Sequence, residues 1–210
     1  MVFYSLVTLG VALCLLLSAE WKGAVLLKGV SKTVASAAFV TLALFLGGAG
    51  NDYGRLVLAA LVLSFLGDLF LLSNGAGFFK GGIAAFLLAH LAYVAAFISL
   101  GIDFRMAGPF LLLMLGMGVF VLRWVWPHVT KEFKIPVGAY VLVITAMVIL
   151  AAGASPNGSP LILFAAIFFY FSDISVARDR FVKESFVNRA WGLPLYYLAQ
   201  VLFALSIQKF

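Results

Sequence analysis

The fold class this sequence predicts is an all-α integral membrane protein, a single bundle of about eight transmembrane helices. Three observations carry that expectation. First, 65% of the residues are hydrophobic, 10% are charged, and the mean hydropathy is +1.16. A water-soluble domain carries about 25% charged residues, so lipid has to be the main solvent. Second, stretches such as Leu56–Leu66 and Ile83–Leu100 are almost continuously apolar. That is a helix signal, where a membrane barrel would alternate with period two. Third, short breaker segments separate the apolar stretches at Gly47–Asp52, Ser73–Gly77 and Ser155–Pro160.

The expected spans run in order as follows. Span one is Val2–Ala19; no Lys or Arg precedes Lys22, so it lacks the basic start of a signal peptide and is expected to persist as a helix. Span two, Ala24–Leu46, carries Lys28 and Lys32, and span three, Tyr53–Leu72, carries Asp68. Span four, Phe79–Leu100, holds His90 and Tyr93, while span five, Met106–Trp126, is apolar throughout its middle. Spans six to eight are Ile135–Ala152 with Tyr140, Pro160–Ala177 with Asp173, and Ala190–Ile207 with Tyr197 and Gln200. Each is near the roughly 20 residues that a hydrocarbon core requires. Nothing between them is long enough for a soluble domain, so residues 1–210 are expected to form one domain.

Loop charges set an expected orientation. Alternate loops hold Lys22, Lys80, Arg123, Lys131, Lys134, Arg178, Arg180, Lys183 and Arg189, and the opposite set holds Arg55, Arg105 and Lys209. The rich side is cytoplasmic by the positive-inside rule, which places both termini outside. The net charge of +6 then reflects topology and contact with anionic membrane lipid, and nucleic acid is not an expected partner. Cys14 is the only cysteine, which excludes an internal disulfide and any cysteine metal cluster; it reads as a small apolar filler.

A charge at membrane depth costs about 3 kcal/mol on insertion scales, and its presence usually marks function. Asp68 and Asp173 lie near the inner ends of spans three and seven, Lys28 and Lys32 in the inner half of span two, and Tyr140 and Tyr197 about two turns into their spans. His90, Tyr93 and Gln200 lie deeper. Separate helices thus bring polar groups to similar depth, as a polar cavity facing the cytoplasm would require. Structural alternatives stand beside this reading. Lys28 can snorkel to the interface, His90 can be a satisfied structural group, and the tyrosines can be packing residues. The aspartates can also form structural ion pairs with Lys28 or Lys32. The glycine of Gly67-Asp68 permits close approach of a neighbouring helix.

Two carboxyls sharing an apolar site do not both ionise cheaply, so one can hold a proton while the other is charged, which supplies an acid and a base. HExxH, GxSxG and Walker motifs are absent, and His90 with the loop residue His128 makes no zinc site. Neither a metal nor an organic cofactor is expected. Ser64 and Ser172 each lie near an aspartate without the histidine geometry of a triad.

Taken together, Ser64–Leu69 on span three, Phe79–Tyr93 on span four, Phe171-Ser172-Asp173 followed by Arg180-Phe181, and Tyr197-Leu198-Ala199-Gln200 resemble the YhhN family of membrane proteins, which includes the lysoplasmalogenases. The family's Lys-Pro pair on span two corresponds to Lys32-Thr33, so the proline is missing. The resemblance implies hydrolysis of the vinyl ether of a lysophospholipid to a fatty aldehyde and glycerophosphoethanolamine or glycerophosphocholine, with Asp68 and Asp173 catalytic. Lys32 or the basic rim, including Lys28 and Arg180, would hold the phosphate. His90, Tyr93, Tyr140, Tyr197, Gln200, Ser64 and Ser172 complete the candidate substrate-binding set. The inner membrane of a bacterium is the expected location.

Two rival functions use the same features. An intramembrane aspartyl protease also works with two aspartates, although a Gly-x-Gly-Asp motif is absent because residue 65 is Phe. A small lipid transporter or lipid-binding protein is the other rival, since Asp68 and Asp173 fall on the third span of each half, as parallel repeats would place them. The charge asymmetry predicts that a single cysteine at Asn157 is labelled from outside intact cells. Labelling that requires permeabilised membranes would reverse the orientation.

Overall fold

A computed structural model describes residues 1–73 and 75–209. It contains α1 (Val2–Lys22), α2 (Val25–Phe45), α3 (Asp52–Phe70), α4 (Ala76–Ser99), α5 (Phe104–Val125), α6 (Lys131–Ala154), α7 (Pro160–Ala177) and α8 (Phe186–Ser206). All eight expected spans are found, each long and apolar enough to cross a membrane. Asn74, within the expected Ser73–Gly77 break, lies outside the described residues.

Helix ends depart from the apolar boundaries in a consistent way. The fourth, sixth and eighth helices begin at Ala76, Lys131 and Phe186, three to four residues before the expected starts. Backbone hydrogen bonding continues beyond the hydrocarbon, so polar residues extend a helix that hydropathy alone would stop. Local capping accounts for several starts. Asn51 Oδ1 accepts from Gly54 N at 2.7 Å, and Asp103 Oδ1 accepts from Arg105 N at 2.8 Å. Ser159 and Ser185 cap α7 and α8 in the same manner. After α7 the chain continues as a short π-helix, Arg178–Val182, closed by a bond from Lys183 N to Arg178 O.

The eighth helix is the hub, packing on α1, α2, α3 and α7, while α4 bridges α3 to α6. The fifth lies at the periphery, chiefly against α6, and exposes Leu112, Leu113 and Phe120 to the lipid side. The interior is strongly aromatic. Phe86, Phe169 and Tyr196 meet with ring centroids 5.4–6.2 Å apart, and Tyr93 stacks on Phe203 at 4.0 Å. This packing fills the bundle from its middle toward the end that carries the α2–α3, α4–α5 and α6–α7 connections.

Close approach of α3 and α4 depends on Gly67, as its sequence context suggests. A Cβ there would lie 2.6 Å from the Phe86 ring, and that ring is held by Phe169 and Tyr196. Gly67→Ala is therefore expected to cost about 1–3 kcal/mol through overpacking. A thermal unfolding midpoint in detergent equal to that of the parent chain would show that the contact is loose.

Candidate active site

A cavity of about 400 Å³ opens at the opposite end of the bundle, among the α1–α2, α3–α4, α5–α6 and α7–α8 ends. Its floor is the aromatic packing, through Phe86 and Tyr196. One wall is polar, with Lys28 and Lys32 from α2, Asp68 from α3 and Glu20 from α1; the facing wall is apolar, with Ile83, Val121, Val137, Val141 and Ile144. Asp173 and Tyr140 also line it. The expected pocket and the two expected aspartates thus come together at the end rich in lysine and arginine.

Asp68 is the most heavily engaged group. Lys32 Nζ lies 3.1 Å from Oδ1, and both side chains are nearly buried, with 10% and 4% exposure. Oδ2 accepts from Ser36 Oγ at 2.7 Å and from Tyr196 OH at 2.6 Å. The spacing of four residues puts Lys32 and Ser36 on one face of α2, so a single turn supplies two of the three donors. Of the structural alternatives weighed for Asp68, pairing with Lys32 is present, while Lys28 pairs with Glu20 at 2.9 Å.

Asp173 has different company. Tyr140 OH donates to Oδ2 at 2.7 Å, and His90 Nε2 stands 3.5 Å from the same oxygen. His90 Nδ1 is 2.5 Å from the Phe86 carbonyl. A carbonyl only accepts, so Nδ1 carries a proton and donates. His90 itself does not line the cavity; it backs Asp173 and packs its ring on Phe169 at 4.6 Å. No hydrogen bond or ion pair joins Asp68 to Asp173 among the described residues.

The remaining candidates divide. Lys28, Ser172 and Arg180 line the cavity. Tyr197 sits behind it, 3.2 Å from Ser36 Oγ. Tyr93 and Gln200 are taken up with each other, Tyr93 OH donating to Gln200 Oε1 at 2.7 Å, and neither lines the cavity. Ser64 is buried away from it, and its Oγ has no hydrogen-bond partner among the described residues. Ser36 and Tyr196 were missed; four-residue spacing from Lys32 pointed to Ser36, whereas nothing separated Tyr196 from its neighbour Tyr197. At the mouth, Arg189 joins Glu20, Asp179 and Glu184. Arg180 lies over the Phe79 ring at 4.8 Å. Of the four cations lining the cavity it is the one without a carboxylate partner among the described residues. Among those residues no three His, Cys, Asp or Glu side chains converge to hold a metal.

Comparison with known proteins follows the same lines. Residues 27–207 match the YhhN family. The chain is 36% identical over 156 residues to the human lysoplasmalogenase TMEM86B, covering 74% of this chain and 65% of that protein. It is 31% identical over 157 residues to the Bos taurus lysoplasmalogenase TMEM86A, covering 71% and 64%. It is 33% identical over 153 residues to a Mycobacterium tuberculosis lysoplasmalogenase, covering 68% and 55%. The matched regions thus span a little under two thirds of the first two relatives and about half of the third. No solved structure matches the chain.

The geometry predicts unequal stability costs. Breaking a buried ion pair by removing one partner costs about 3–5 kcal/mol, and the cavity beside Lys32 places this pair at the lower end. Asp68→Asn should lower the melting temperature clearly, and Lys32→Met in the same chain should restore most of it. Equal melting of the Asp68→Asn chain and the parent would show that Lys32 finds other solvation.

Proposed function

The chain belongs to the YhhN family, and on that premise we propose that it is an intramembrane hydrolase that cleaves the vinyl ether of lysoplasmalogens. Products are a fatty aldehyde and glycerophosphoethanolamine or glycerophosphocholine. The observation that supports this most is the two-sided cavity. It sets a polar wall with Asp68 and Lys32 against an apolar wall of α4, α5 and α6 residues, and Asp173 lines the same space. A lysolipid has that division, and its vinyl ether lies at the boundary between headgroup and chain. The names of the relatives support the same substrate class.

The chemistry asks for few groups. Protonation of the outer alkene carbon gives an oxocarbenium ion; water adds, and the hemiacetal collapses to aldehyde and alcohol. This needs an acid, a base for water and negative charge beside the cation, which Asp68 and Asp173 supply between them. Arg180 receives the phosphate, because Lys32, the other residue expected in that role, is committed to Asp68. The chain lies along the apolar wall. The substrate enters from the basic end, which is cytoplasmic in this reading, with both termini outside and the protein in a bacterial inner membrane.

General acid or base help contributes typically 10²–10⁴-fold. Purified protein should release aldehyde from alkenyl lysophosphoethanolamine but leave alkyl-ether and ester analogues intact. Asp173→Asn should lose about that factor, and the double variant with Asp68→Asn should be little worse, since residues acting as a unit are non-additive. Peptide cleavage without aldehyde release would favour the protease, and lipid flux in liposomes without turnover the transporter. Near-normal turnover by a folded Asp173→Asn chain would remove Asp173 from the mechanism.

A further inference from the structure

The two aspartates are not interchangeable, because their partners differ in hydrogen-bonding sense. Every polar partner of Asp68 is a donor: the Lys32 ammonium, the Ser36 hydroxyl and the Tyr196 hydroxyl. Lysine offers three donors and no acceptor, and Ser36 and Tyr196 direct their protons at the carboxylate. A proton on Asp68 would find no acceptor among these and would leave the nearly buried ammonium without its counter-charge. The site is built for an anion.

Asp173 has no lysine or arginine at ion-pair distance among the described residues. It has one donor, Tyr140, and one nitrogen whose role is fixed from behind. His90 Nδ1 spends its proton on the Phe86 carbonyl. In the neutral ring, Nε2 then carries a lone pair, and that lone pair faces Asp173 Oδ2. His90 is buried, with 1% side-chain exposure, and Nε2 has no hydrogen-bond partner among the described residues. An unprotonated Asp173 would set a charged oxygen against a lone pair inside the bundle. A proton on Asp173 removes that repulsion and gives the lone pair a donor to face. The titratable members of this unit are Asp173 on α7, His90 on α4 and Tyr140 on α6, and the charged groups Asp68, Lys28, Lys32 and Arg180 line the same cavity. With a neutral ring the unit is uncharged while Asp173 holds its proton.

We infer that Asp173 is the proton donor, kept protonated by His90 as a positioning residue, and that Asp68 is an anion at rest that takes up the proton of the attacking water only transiently. This role assignment rests on the vinyl ether reading above. The carboxyl holds its proton toward Nε2, and a half turn about its soft terminal torsion presents the O–H to the cavity. The Asp173 O–H bond breaks as the alkene electrons form a C–H bond at the outer carbon, and the ether oxygen lone pair makes the oxocarbenium ion. Water oxygen bonds to the cationic carbon, and its proton passes to Asp68. The hemiacetal hydroxyl then returns a proton to Asp173, the C–O bond to glycerol breaks, and Asp68 gives its proton to the departing oxygen. Both residues end as they began, and one water has been consumed.

The state of Asp173 is testable without substrate. Infrared spectra of the full chain in lipid vesicles at neutral pH should show a carboxylic acid C=O band that vanishes in Asp173→Asn. The band should persist in Asp68→Asn, and also in Asp68→Asn combined with Lys32→Met, which avoids an unpaired lysine should the single variant fold poorly. A band lost with Asp68 instead, or no band belonging to Asp173, overturns the assignment. A second reading concerns turnover. His90→Phe should lower kcat about 10²-fold with KM within about twofold, and His90→Gln, which keeps a polar acceptor, should recover part of kcat. Unchanged kcat, or a loss expressed in KM, overturns the role of His90. A wild-type chain that releases no aldehyde would sink the function but leave the infrared result to stand.

Discussion

The ion pair between Lys32 and Asp68 is the interaction on which the rest of the site depends. A charge of either sign at this depth is costly alone, and each makes the other tolerable. The pair does more than cancel charge. Lys32 and Ser36 come from α2, Asp68 from α3 and Tyr196 from α8, so one carboxylate fixes the mutual rotation of three helices. With those rotations set, the polar faces of α2 and α3 point toward the space that α4 and α6 wall with aliphatic side chains. The cavity is the consequence. Replacing the pair with apolar residues of like volume would be tolerable for stability, since buried pairs are often no better than hydrophobic packing. What it supplies is a carboxylate held in a fixed position.

Along the bundle axis the chemistry is graded. Stacked aromatic rings close the far end, isolated carboxyls with fixed partners occupy the middle, and a dense network of Arg189 with Glu20, Asp179 and Glu184 lies at the mouth. Water thus has an entry from one side, and a conduit through the bundle would have to part Phe86, Phe169 and Tyr196. The π-helix after α7 matters here, because its wider turn carries Arg180 and Phe181 to the rim; such turns recur at functional sites.

Much of this was legible in the sequence, for identifiable reasons. Long apolar runs fix eight helices because lipid leaves no other way to satisfy the backbone. The rarity of charge at depth made Asp68, Asp173, Lys32 and His90 stand out. What sequence could not supply was rotation about each helix axis. Tyr196 and Tyr197 are adjacent and alike, yet one binds Asp68 while the other sits behind Ser36. Tyr93 and Gln200, at suitable depth, satisfy each other instead of facing the cavity. Glu20, near the end of α1, pairs with both Lys28 and Arg189, with 7% of its side chain exposed. Pairing between helices is a tertiary fact, and hydropathy is blind to it.

The repeat suggested by Asp68 and Asp173 on the third helix of each half gains substance from their partners. Asp68 is held by α2, the helix before it, and by Tyr196 of α8, the last helix of the other half. Asp173 is held by Tyr140 of α6, again the helix before it, and faces His90 of α4, the last helix of the other half. The geometry repeats while the chemistry does not: lysine and serine in one half stand where tyrosine stands in the other, and tyrosine stands where histidine does. Each half completes the other's carboxyl site, so neither four-helix half holds a full site by itself. The exchange gives one carboxyl a lysine partner and its counterpart a histidine nitrogen, so corresponding positions in the two halves hold carboxyls in unlike surroundings.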